Sequence, residues 1–361
     1  MDGANELGRK SEKAALDNAV IGELCAQEAE RVDGHVQRAF RRAARAALLW
    51  EEEACDLVQA GRSLTELNGI GPHLARRILT WIEKDSSVPD PPIIRREFLT
   101  LTQTRKILDR HPSWRQRLRG DLHMHTTWSD GSASSLQMAK AAAVRGYSYI
   151  AITDHTKGLK IANGLNEEEL MHQGEEIDSV NREYLNANQG FSVLKSTEVN
   201  LSRFGETDIS GESLRKLDVV IGAFHSALRG TEDQTGRYLA AVRNKGIHII
   251  GHPQGRIYNH REGLRADWNR VFAEVARLDK AVEIDGYPDR QDLRTTLVRV
   301  AREEGARISL GTDAHQAPQL GFIVFSLAAA CLAQVPEERI INFMLTEEVR
   351  EWARKISMNE S

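Results

Sequence analysis

Apolar residues in the first part of the chain recur at intervals of three and four residues, as expected for helices. Ile21, Leu24 and Cys25 show this spacing, and no strand-like alternation interrupts it between residues 16 and 84. Three prolines in the run SSVPDPP then break the pattern, because proline fixes φ and disfavours helix in the residue before it. We therefore predict a helical domain over residues 1–88.

After residue 119 the pattern changes to short apolar runs that alternate with amphipathic helical segments. Residues 89–118 are predicted as a linker with one helix. Strand-like runs lie at 120–124, 147–153, 191–199, 219–224, 247–250, 281–284 and 307–310. Most of these runs precede a helical segment, which is the order of parallel βα units. Residues 119–361 are therefore predicted to form an α/β barrel of seven strands, preceded by the small all-α domain.

Composition is that of a globular protein. Of the 361 residues 41% are hydrophobic and 28% are charged, and no apolar run approaches the roughly 20 residues that span a bilayer. The first residues mix acids and bases without the apolar stretch of a secretory signal, so we expect a cytoplasmic protein that does not contact membranes. The net charge is −4, which does not suggest indiscriminate binding of nucleic acid.

Histidines and carboxylates follow the predicted strands where each strand ends. The motifs are DLHMHTTWSDG, AITDH, STEVN, IGAFHS, IIGHPQGR and SLGTDAH, and they hold six of the twelve histidines. Their chemically reactive members are His123, His125, Asp154, His155, Glu198, His225, His252, Asp313 and His315. In a parallel barrel these ends open onto one face, which is the face that carries active sites. Residues two apart in an extended segment point to the same side.

Imidazoles and carboxylates are ligands of zinc, manganese and iron, and a carboxylate bridges two ions. There are more such groups here than one ion uses, so we expect two or three divalent ions, with manganese or zinc favoured over iron. Such ions lower the pKa of water and stabilise the oxygens of a phosphate ester, which predicts a phosphoesterase. A single histidine at a strand end is usually structural, but burying this many polar groups without partners would cost several kcal/mol.

These motifs, together with EIDGYPDRQDL, resemble those of the PHP (polymerase and histidinol phosphatase) superfamily, most closely the C-terminal PHP domain of bacterial family X DNA polymerases. The resemblance runs from about residue 119 to residue 325. It implies a distorted seven-stranded βα barrel with a trinuclear metal site. The ligand sets that it implies for the three ions are His123, His125, Glu198 and Asp313; Glu198, His225 and His252; and Asp130, His155 and His315.

Charged residues near the motifs are candidates for contacts with the substrate. Arg256 ranks first, because it lies four residues after His252 in a motif shared with the family, and guanidinium groups suit phosphate. Further candidates are Lys157, Arg229 and Arg290. For each of these residues taken alone, a solvated surface charge is as good an interpretation as a contact with the substrate. Asp154 is expected to orient the ring of His155 rather than to bind metal.

The string LTELNGIGPHLARRILTWIEK has a Gly-Ile-Gly turn between two helical patterns and resembles a helix-hairpin-helix element. Gly69 and Gly71 permit a tight turn whose amides, with the start of the next helix, meet a DNA phosphate without reading sequence. A bare turn is the alternative. Arginines that would contact phosphates follow the turn or line an upstream helix: Arg76, Arg77, Arg38, Arg41, Arg42 and Arg45. For the upstream group, an ordinary solvated face is the alternative.

This N-terminal region is similar to the small lyase-type domain of family X polymerases, but two features of that family are absent. Arg76 and Arg77 stand where the Schiff-base lysine would fall, and arginine stays protonated, so lyase activity is not expected. Only about 35 residues separate the region from the PHP-like part, which leaves no room for a polymerase palm. DNA polymerase activity is therefore not expected.

The leading hypothesis is a metal-dependent phosphoesterase that acts on DNA single strands or ends, as a 3′-5′ exonuclease or 3′-end processing enzyme in DNA repair. Two alternatives stay open. One is a small-molecule phosphatase of the histidinol phosphatase type, which would turn over free phosphomonoesters without help from the N-terminal region. The other is a DNA-binding scaffold whose metal site is structural, which would lose stability on chelation but show no activity with any metal.

Overall fold

The computed structural model describes residues 16–84, 90–186 and 190–358. The chain divides into two compact units, Met1–Asp90 and Pro91–Ser361. Among the described residues, every helix is too short or too polar to cross a membrane.

The described part of the first unit contains helices and turns. Its α-helices are α1 Asn18–Arg31, α2 Gly34–Ala46, α3 Ala54–Gln59 and α4 Pro72–Glu83. Helix α1 begins after Asp17, whose carboxylate accepts a hydrogen bond from the N–H of Val20 at 3.0 Å. Helices α1 and α2 pack closely at Gly22, where a Cβ atom would lie 3.3 Å from the carbonyl oxygen of Ala44. Small residues at this contact thus let the two helices approach each other closely.

The Gly-Ile-Gly turn of the first unit leads directly into α4. Gly69 has a φ of +81°, which favours glycine, and Gly71 is the N-cap of α4. Before the turn stands a single 3-10 turn, Leu64–Glu66, held by a capping box in which Ser63 and Glu66 bond to each other's backbone. The helical pattern predicted ahead of the turn is therefore only one short turn.

The second unit is built around parallel strands. These are β1 Gly120–Asp121, β2 Tyr149–Ile152, β3 Ser192–Lys195, β4 Glu198–Asn200, β5 Ile221–Ala223, β6 Ile249–Ile250, β7 Ala281–Asp285 and β8 Arg307–Gly311. Two residues, Ser196 and Thr197, separate β3 from β4. This break divides one extended segment between two sheets. The described strands thus occupy the seven predicted runs.

The strands are ordered along the sheets as they are along the chain. One ladder runs β1-β2-β3 and the other runs from β4 to β8, and all neighbouring pairs are parallel. Bridges beyond the strand ends connect the two ladders, with His155 opposite Glu198 and Met124 opposite Ala314. The fold is therefore a distorted α/β barrel in which β1 and β8 meet, and its strand ends converge.

Helices surround the barrel. They are α5 Leu101–Arg110, α6 Pro112–Arg117, α7 Ser135–Val144, α8 Glu167–Asn186, α9 Gly211–Leu214, α10 Thr235–Arg243, α11 Trp268–Arg277, α12 Thr295–Glu303, α13 Ile323–Leu332 and α14 Thr346–Met358. Helix α13 is apolar along most of its length and packs against β7, β8 and α5. Its burial from several sides explains why no amphipathic period marks it in the sequence.

The segment predicted as a linker differs from that prediction. Residues 91–118 carry two helices, α5 and α6, instead of one, and they belong to the second unit. Leu108 of α5 is fully buried, and the ring of Trp114 lies 5.7 Å from that of Phe343 in an edge-on contact. Because these apolar side chains are buried in the barrel's own core, most of this segment is part of the barrel's outer layer and not a free connection.

Candidate metal centre

The cluster begins with two histidines that follow β1. His123 and His125 are both fully buried, and their rings lie side by side with centroids 5.2 Å apart. Asp121, two residues earlier, accepts the N–H of His123 at 3.1 Å and the hydroxyl of Thr312 at 2.6 Å. These bonds fix the end of β1 against the end of β8, which brings both imidazoles into the mouth of the barrel.

Glu198, at the start of β4, lies at the centre of the cluster. Its Oε1 is 2.8 Å from Nε2 of His252 and 3.1 Å from Nε2 of His225. The distances from its Oε2 are 2.8 Å to Nδ1 of His155, 3.5 Å to Nε2 of His123 and 3.6 Å to Nε2 of His125. A carboxylate with imidazoles around both oxygens is placed to bridge two ions.

Asp313 and Asp130 complete the cluster on its other side. Oδ1 of Asp313 lies 2.9 Å from Nε2 of His125 and 3.7 Å from Nε2 of His123. Asp130 lies 3.4 Å from Nε2 of His315 and 3.8 Å from Nε2 of His155. All nine residues for which the sequence predicts metal binding are thus brought together, while their roles as ligands stay a prediction.

Donor atoms within the cluster form three groups that could each hold an ion. The groups are His123, His125 and Glu198; His155, Glu198 and His225; and His125, Asp130, His155 and His315. They overlap with the three implied ligand sets, but His155 joins the second group where the resemblance implies His252. His252 nevertheless remains in contact with Glu198.

Several buried atoms of the cluster make no hydrogen bond of acceptable geometry, although some of them lie within 3 Å of another nitrogen or oxygen of the cluster. They are Nε2 of His123, both ring nitrogens of His125, Nδ1 of His155 and Oε2 of Glu198. Leaving such atoms without a partner costs free energy, and in native proteins nearly all of them are paired. Divalent ions would satisfy these atoms together, so the residues present fit a metal site.

The pKa values of the carboxylates and of His125 favour the forms that bind metal, whereas the nearby carboxylates outweigh burial and raise the pKa of His123, His155 and His315, so that ions would displace protons from these rings. Burial opposes ionisation of Glu198, but the surrounding histidines outweigh it and hold the pKa of this carboxyl well below its usual value. Asp130 has its pKa lowered to about 2, since the neighbouring histidines outweigh its burial. Burial, with repulsion by His155, lowers the pKa of His125 to about 3. The carboxylates are therefore ionised and His125 is neutral at pH 7.

Similar proteins were found among curated sequences, although no protein-family model matches the chain. The DNA polymerase/3′-5′ exonuclease PolX of Bacillus subtilis is 35% identical over 240 residues, which are 66% of this chain but only 41% of that protein. A probable phosphatase of Citrobacter koseri is 30% identical over 235 residues, 62% of this chain and 89% of the relative. The chain belongs to the PHP superfamily.

A solved structure gives a further comparison. Histidinol phosphate phosphatase from Lactococcus lactis, complexed with zinc, L-histidinol and phosphate, is 17% identical to this PHP protein, with a TM-score of 0.39 over 66% of this chain and 92% of that one. This likeness is too low to carry an argument. The donor set and the curated relatives identify a metal-dependent phosphoesterase.

A carboxylate that the sequence reasoning overlooked supports two of the histidines in the PHP site. Glu283 of β7 has Oε1 2.7 Å from Nδ1 of His123, and its Oε2 accepts the backbone N–H of His252 at 2.6 Å. The first contact keeps the proton of His123 on Nδ1 and leaves Nε2 to face the cluster. The signal was present in the run AVEID, where Glu283 and Asp285 stand two apart in an apolar strand.

Arg256 makes its contacts with the segment before α5 and not with the cluster, which does not favour the expectation that it holds the phosphate. Its side chain is only 2% exposed, and its guanidinium lies 3.8 Å above the ring of Phe98. One of its N–H groups donates to the carbonyl oxygen of Arg96 at 2.6 Å. The loop after β6 folds so that Arg256 fixes the segment before α5 to the barrel instead.

Arg290 is the guanidinium that the structure places at the cluster. It donates to Oδ2 of Asp313 and lies 3.8 Å from Oδ2 of Asp285. About a third of its side chain is exposed, so it borders both the ligands and solvent. Lys157, another candidate, is paired with Glu167 at 2.9 Å.

Asp154 has different partners from those expected. Its carboxylate accepts the backbone N–H and the hydroxyl of Thr126 at 2.7 and 2.6 Å, the hydroxyl of Ser129, and the side-chain amide of Gln173 at 2.6 Å. The nitrogens of the His155 ring face Glu198 and Asp130 instead. Asp154 therefore shapes the loop that carries Asp130 and does not orient His155 by a hydrogen bond.

The residues predicted to bind nucleic acid lie in the first unit, apart from the donor set. Gly69, Gly71 and Arg76 are exposed around the start of α4, and Arg38, Arg41, Arg42 and Arg45 are exposed along α2. Arg77 is also exposed, but its guanidinium bonds to both carboxylate oxygens of Glu28 at 3.0 and 3.1 Å. Contact with DNA stays a prediction for all of them, and Arg77 would first have to break its ion pair with Glu28.

Proposed function

We propose that this PHP protein hydrolyses phosphodiesters at the 3′ ends of DNA, as an exonuclease or an end-processing enzyme in repair. The observation that carries the proposal is that one chain combines the donor cluster around Glu198 with an exposed Gly-Ile-Gly turn at the start of α4. The likeness to a protein named as a 3′-5′ exonuclease supports it. A cytoplasmic location belongs to the same proposal.

The barrel residues would bind two or three divalent ions, with manganese or zinc favoured. Bound there, such ions lower the pKa of a water and stabilise negative charge on phosphate oxygens. Glu198 and Asp313, as ionised carboxylates, would balance the positive charge of the ions, and Glu283 is placed to fix the tautomer of His123. Arg290 borders the ligands and is placed to donate to a phosphate oxygen that solvent can reach.

The first unit would bind the DNA strand without reading its sequence. The amides at the start of α4 and the positive end of its dipole suit a phosphate, and Gly69 allows the backbone to approach it. Arg76, Arg41 and Arg42 add exposed positive charge. Tethering such a unit to a phosphoesterase raises the local concentration of DNA at the donor cluster.

The test is hydrolysis of single-stranded DNA carrying a label at the 3′ or the 5′ end, beside p-nitrophenyl phosphate, with manganese added. We expect products that shorten from the 3′ end. Replacing Arg41, Arg42 and Arg76 by Ala in the full chain should weaken hydrolysis of DNA and leave the monoester unaffected. Turnover of the monoester alone would overturn the proposal.

A small-molecule phosphatase is the second candidate. It is supported by the likeness to the probable phosphatase of Citrobacter koseri, 89% of which is matched by 62% of this chain. In that case the triple variant would behave as the wild type on every substrate, and DNA would not be shortened.

A further inference from the structure

Two loops on the carboxyl side of the barrel border an open surface cavity of about 220 Å³. One loop follows β5 and contributes residues 228–231, and the other follows β6 and contributes residues 260–263 and 265. The same loops begin with His225 and His252, which contact Glu198. The cavity therefore lies on the barrel face that carries the donor cluster, and the proposed reaction does not yet use it.

Positive groups dominate the lining of this cavity. Three arginines, Arg229, Arg261 and Arg265, line it beside the ring of His260, against a single lining carboxylate, Glu262. That carboxylate lies 3.5 Å from Arg265 and so offsets one of the three guanidinium charges. Nε2 of His260 lies 3.2 Å from a guanidinium nitrogen of Arg229, which holds the two side chains together. An excess of cations around a surface cavity favours an anionic ligand.

Arg261 is held in place by its own loop. Its Nε donates to the carbonyl oxygen of Gly255, and its backbone exchanges two hydrogen bonds of 2.9 Å with Ile257. Between them, the N–H of Tyr258 donates to the carbonyl oxygen of Asp289 at 2.7 Å, which joins this loop to the one that carries Arg290. The guanidinium is therefore fixed before any ligand arrives, which reduces the entropy lost on binding.

A close approach of the two loops shapes the cavity. Gly255 has a φ of +60°, and a Cβ atom there would lie 3.1 Å from Leu228 and 3.7 Å from the guanidinium of Arg261. Glycine thus allows the loop after β6 to pass close to the loop after β5. The same contact sets Arg261 beside the loop that carries Arg229.

The cationic groups continue toward the donor cluster. Burial lowers the pKa of Arg261, and the positive charges of Arg290 and Arg229 add to this effect while the carboxylate of Asp292 opposes it. The hydrogen bond from Tyr258 to Asp289 joins the loop of Arg261 to the loop of Arg290, and Arg290 itself contacts Asp313. Like charges repel in this arrangement, and a chain of anions would relieve the repulsion.

We propose that Arg229, Arg261 and His260 bind a second phosphate of the substrate, next to the scissile one along a nucleic-acid strand. This inference rests on the proposed hydrolysis of DNA ends. A phosphodiester strand has a regular series of phosphates that Arg290 and Arg261 can meet in turn, whereas a simple monoester has only one. The cavity is thus a specificity site that selects strands over small phosphomonoesters.

The test compares Arg229→Gln with Arg299→Gln in the full chain. Arg229 is exposed, so the change spares the core, and Arg299 is an exposed arginine of α12 that serves as the matched control. The substrates are a short oligothymidylate and p-nitrophenyl phosphate. Arg229→Gln should raise KM for the oligonucleotide about tenfold and leave the monoester unchanged, because a charged hydrogen bond to phosphate is lost.

A second readout is the dependence of oligonucleotide cleavage on salt. Removing one phosphate contact should reduce the slope of log kcat/KM against log salt by about one, which a purely structural change would not do. Arg299→Gln should leave both the KM and the slope at their wild-type values. Inhibition of monoester turnover by inorganic phosphate should be the same in both variants, because free phosphate would occupy the donor cluster.

Each other outcome contradicts the inference in a recognisable way. If the wild type cleaves the oligonucleotide and Arg229→Gln cleaves it with unchanged KM and slope, the subsite is wrong while the proposed function stands. Equal losses on both substrates would make Arg229 structural. Weaker inhibition by inorganic phosphate in Arg229→Gln would make the cavity a site for free phosphate. If the wild type leaves the oligonucleotide intact, the proposed function and the subsite both fail.

Discussion

Strand β6 has a histidine at each end, and the two rings have opposite surroundings. His248 precedes the strand; its Nδ1 accepts the N–H of Val220 at 2.9 Å, and its Nε2 lies 2.9 Å from the hydroxyl of Ser357. His252 follows the strand and lies 2.8 Å from Glu198. The first ring finds both partners within the protein, whereas the second joins a cluster with several unpartnered atoms.

The same division holds for the barrel as a whole. At the amino ends, polar groups close the structure: Asn342 bonds to the backbone of Gly120 and Leu310, and Lys280 donates to the carbonyl oxygen of Asn244. At the carboxyl ends, carboxylates and imidazoles converge, and several of their buried atoms lack a hydrogen-bond partner. One end of the barrel therefore serves stability, and the other is built to receive cations.

The largest effect is expected from Glu198→Gln at the carboxyl end. Its carboxylate contacts imidazoles through both oxygens, so the change removes the bridge between ion sites. Metal catalysis contributes several kcal/mol, and hydrolysis should fall by about 1000-fold or more. The measurement is steady-state turnover of p-nitrophenyl phosphate with manganese, with circular dichroism as a check of folding. Activity within tenfold of the wild type would remove Glu198 from the site.

A smaller loss is expected from Glu283→Gln, which leaves every predicted ligand in place. Glu283 fixes the tautomer of His123 and the backbone of His252, and loss of such support lowers metal affinity by about 10- to 100-fold. Titration of the metal-free protein with manganese, followed by activity, checks this. Glu303→Gln, on the outer helix α12, is the control and should bind as the wild type does. If the midpoint of the manganese titration were unchanged in Glu283→Gln, the supporting role of Glu283 would be contradicted.

His248→Ala tests the amino end and should affect stability without affecting chemistry. The change leaves the N–H of Val220 buried without its acceptor, which costs about 1–3 kcal/mol of the free energy of unfolding. Urea denaturation measures this loss, and turnover with saturating manganese should match the wild type. A loss of metal binding in this variant would contradict the division of roles between the two ends of the barrel.

The smallest expected effect is a pH dependence of stability, caused by Lys280 at the amino ends of the strands. Burial lowers the pKa of Lys280 from 10.5 to about 7. Between these values the unfolded chain binds more protons than the folded one, so stability due to this group rises with pH across that range. Relative to Lys280→Met, the wild type should gain about 1 kcal/mol per pH unit from pH 7.5 to 9.5. If the free energies of unfolding of the wild type and of Lys280→Met changed with pH in the same way, the burial of a neutral amine would be contradicted.

Much of the barrel could be predicted because each strand is a short apolar run that ends in a polar motif. Helix α13 could not, since a helix buried on several sides shows no amphipathic period. The residues of the donor cluster could be predicted because residues two apart share a side of an extended chain, as His123 and His125 do. Glu283 lies two residues before Asp285 in the run AVEID and so has the same spacing. It was overlooked because this run contains no histidine.

The direction of long loops was beyond the reach of sequence patterns. Arg256 and Arg290 both follow strand ends at short distances along the chain, yet only Arg290 turns toward Asp313. The difference depends on the packing of Arg256 against Phe98, a residue more than a hundred positions away. Asp154 was misplaced for a related reason, because its partners Thr126 and Gln173 come from two other segments.

The central claim is that the cluster at the carboxyl ends binds the ions that carry hydrolysis. The most direct test is to strip the wild type with a chelator, add manganese back, and count bound ions per chain while following phosphoester turnover. The account predicts two or three ions in the wild type, fewer in Glu198→Gln, and activity that returns only as the ions bind. Full activity in the stripped protein, or no bound ions at all, would contradict it.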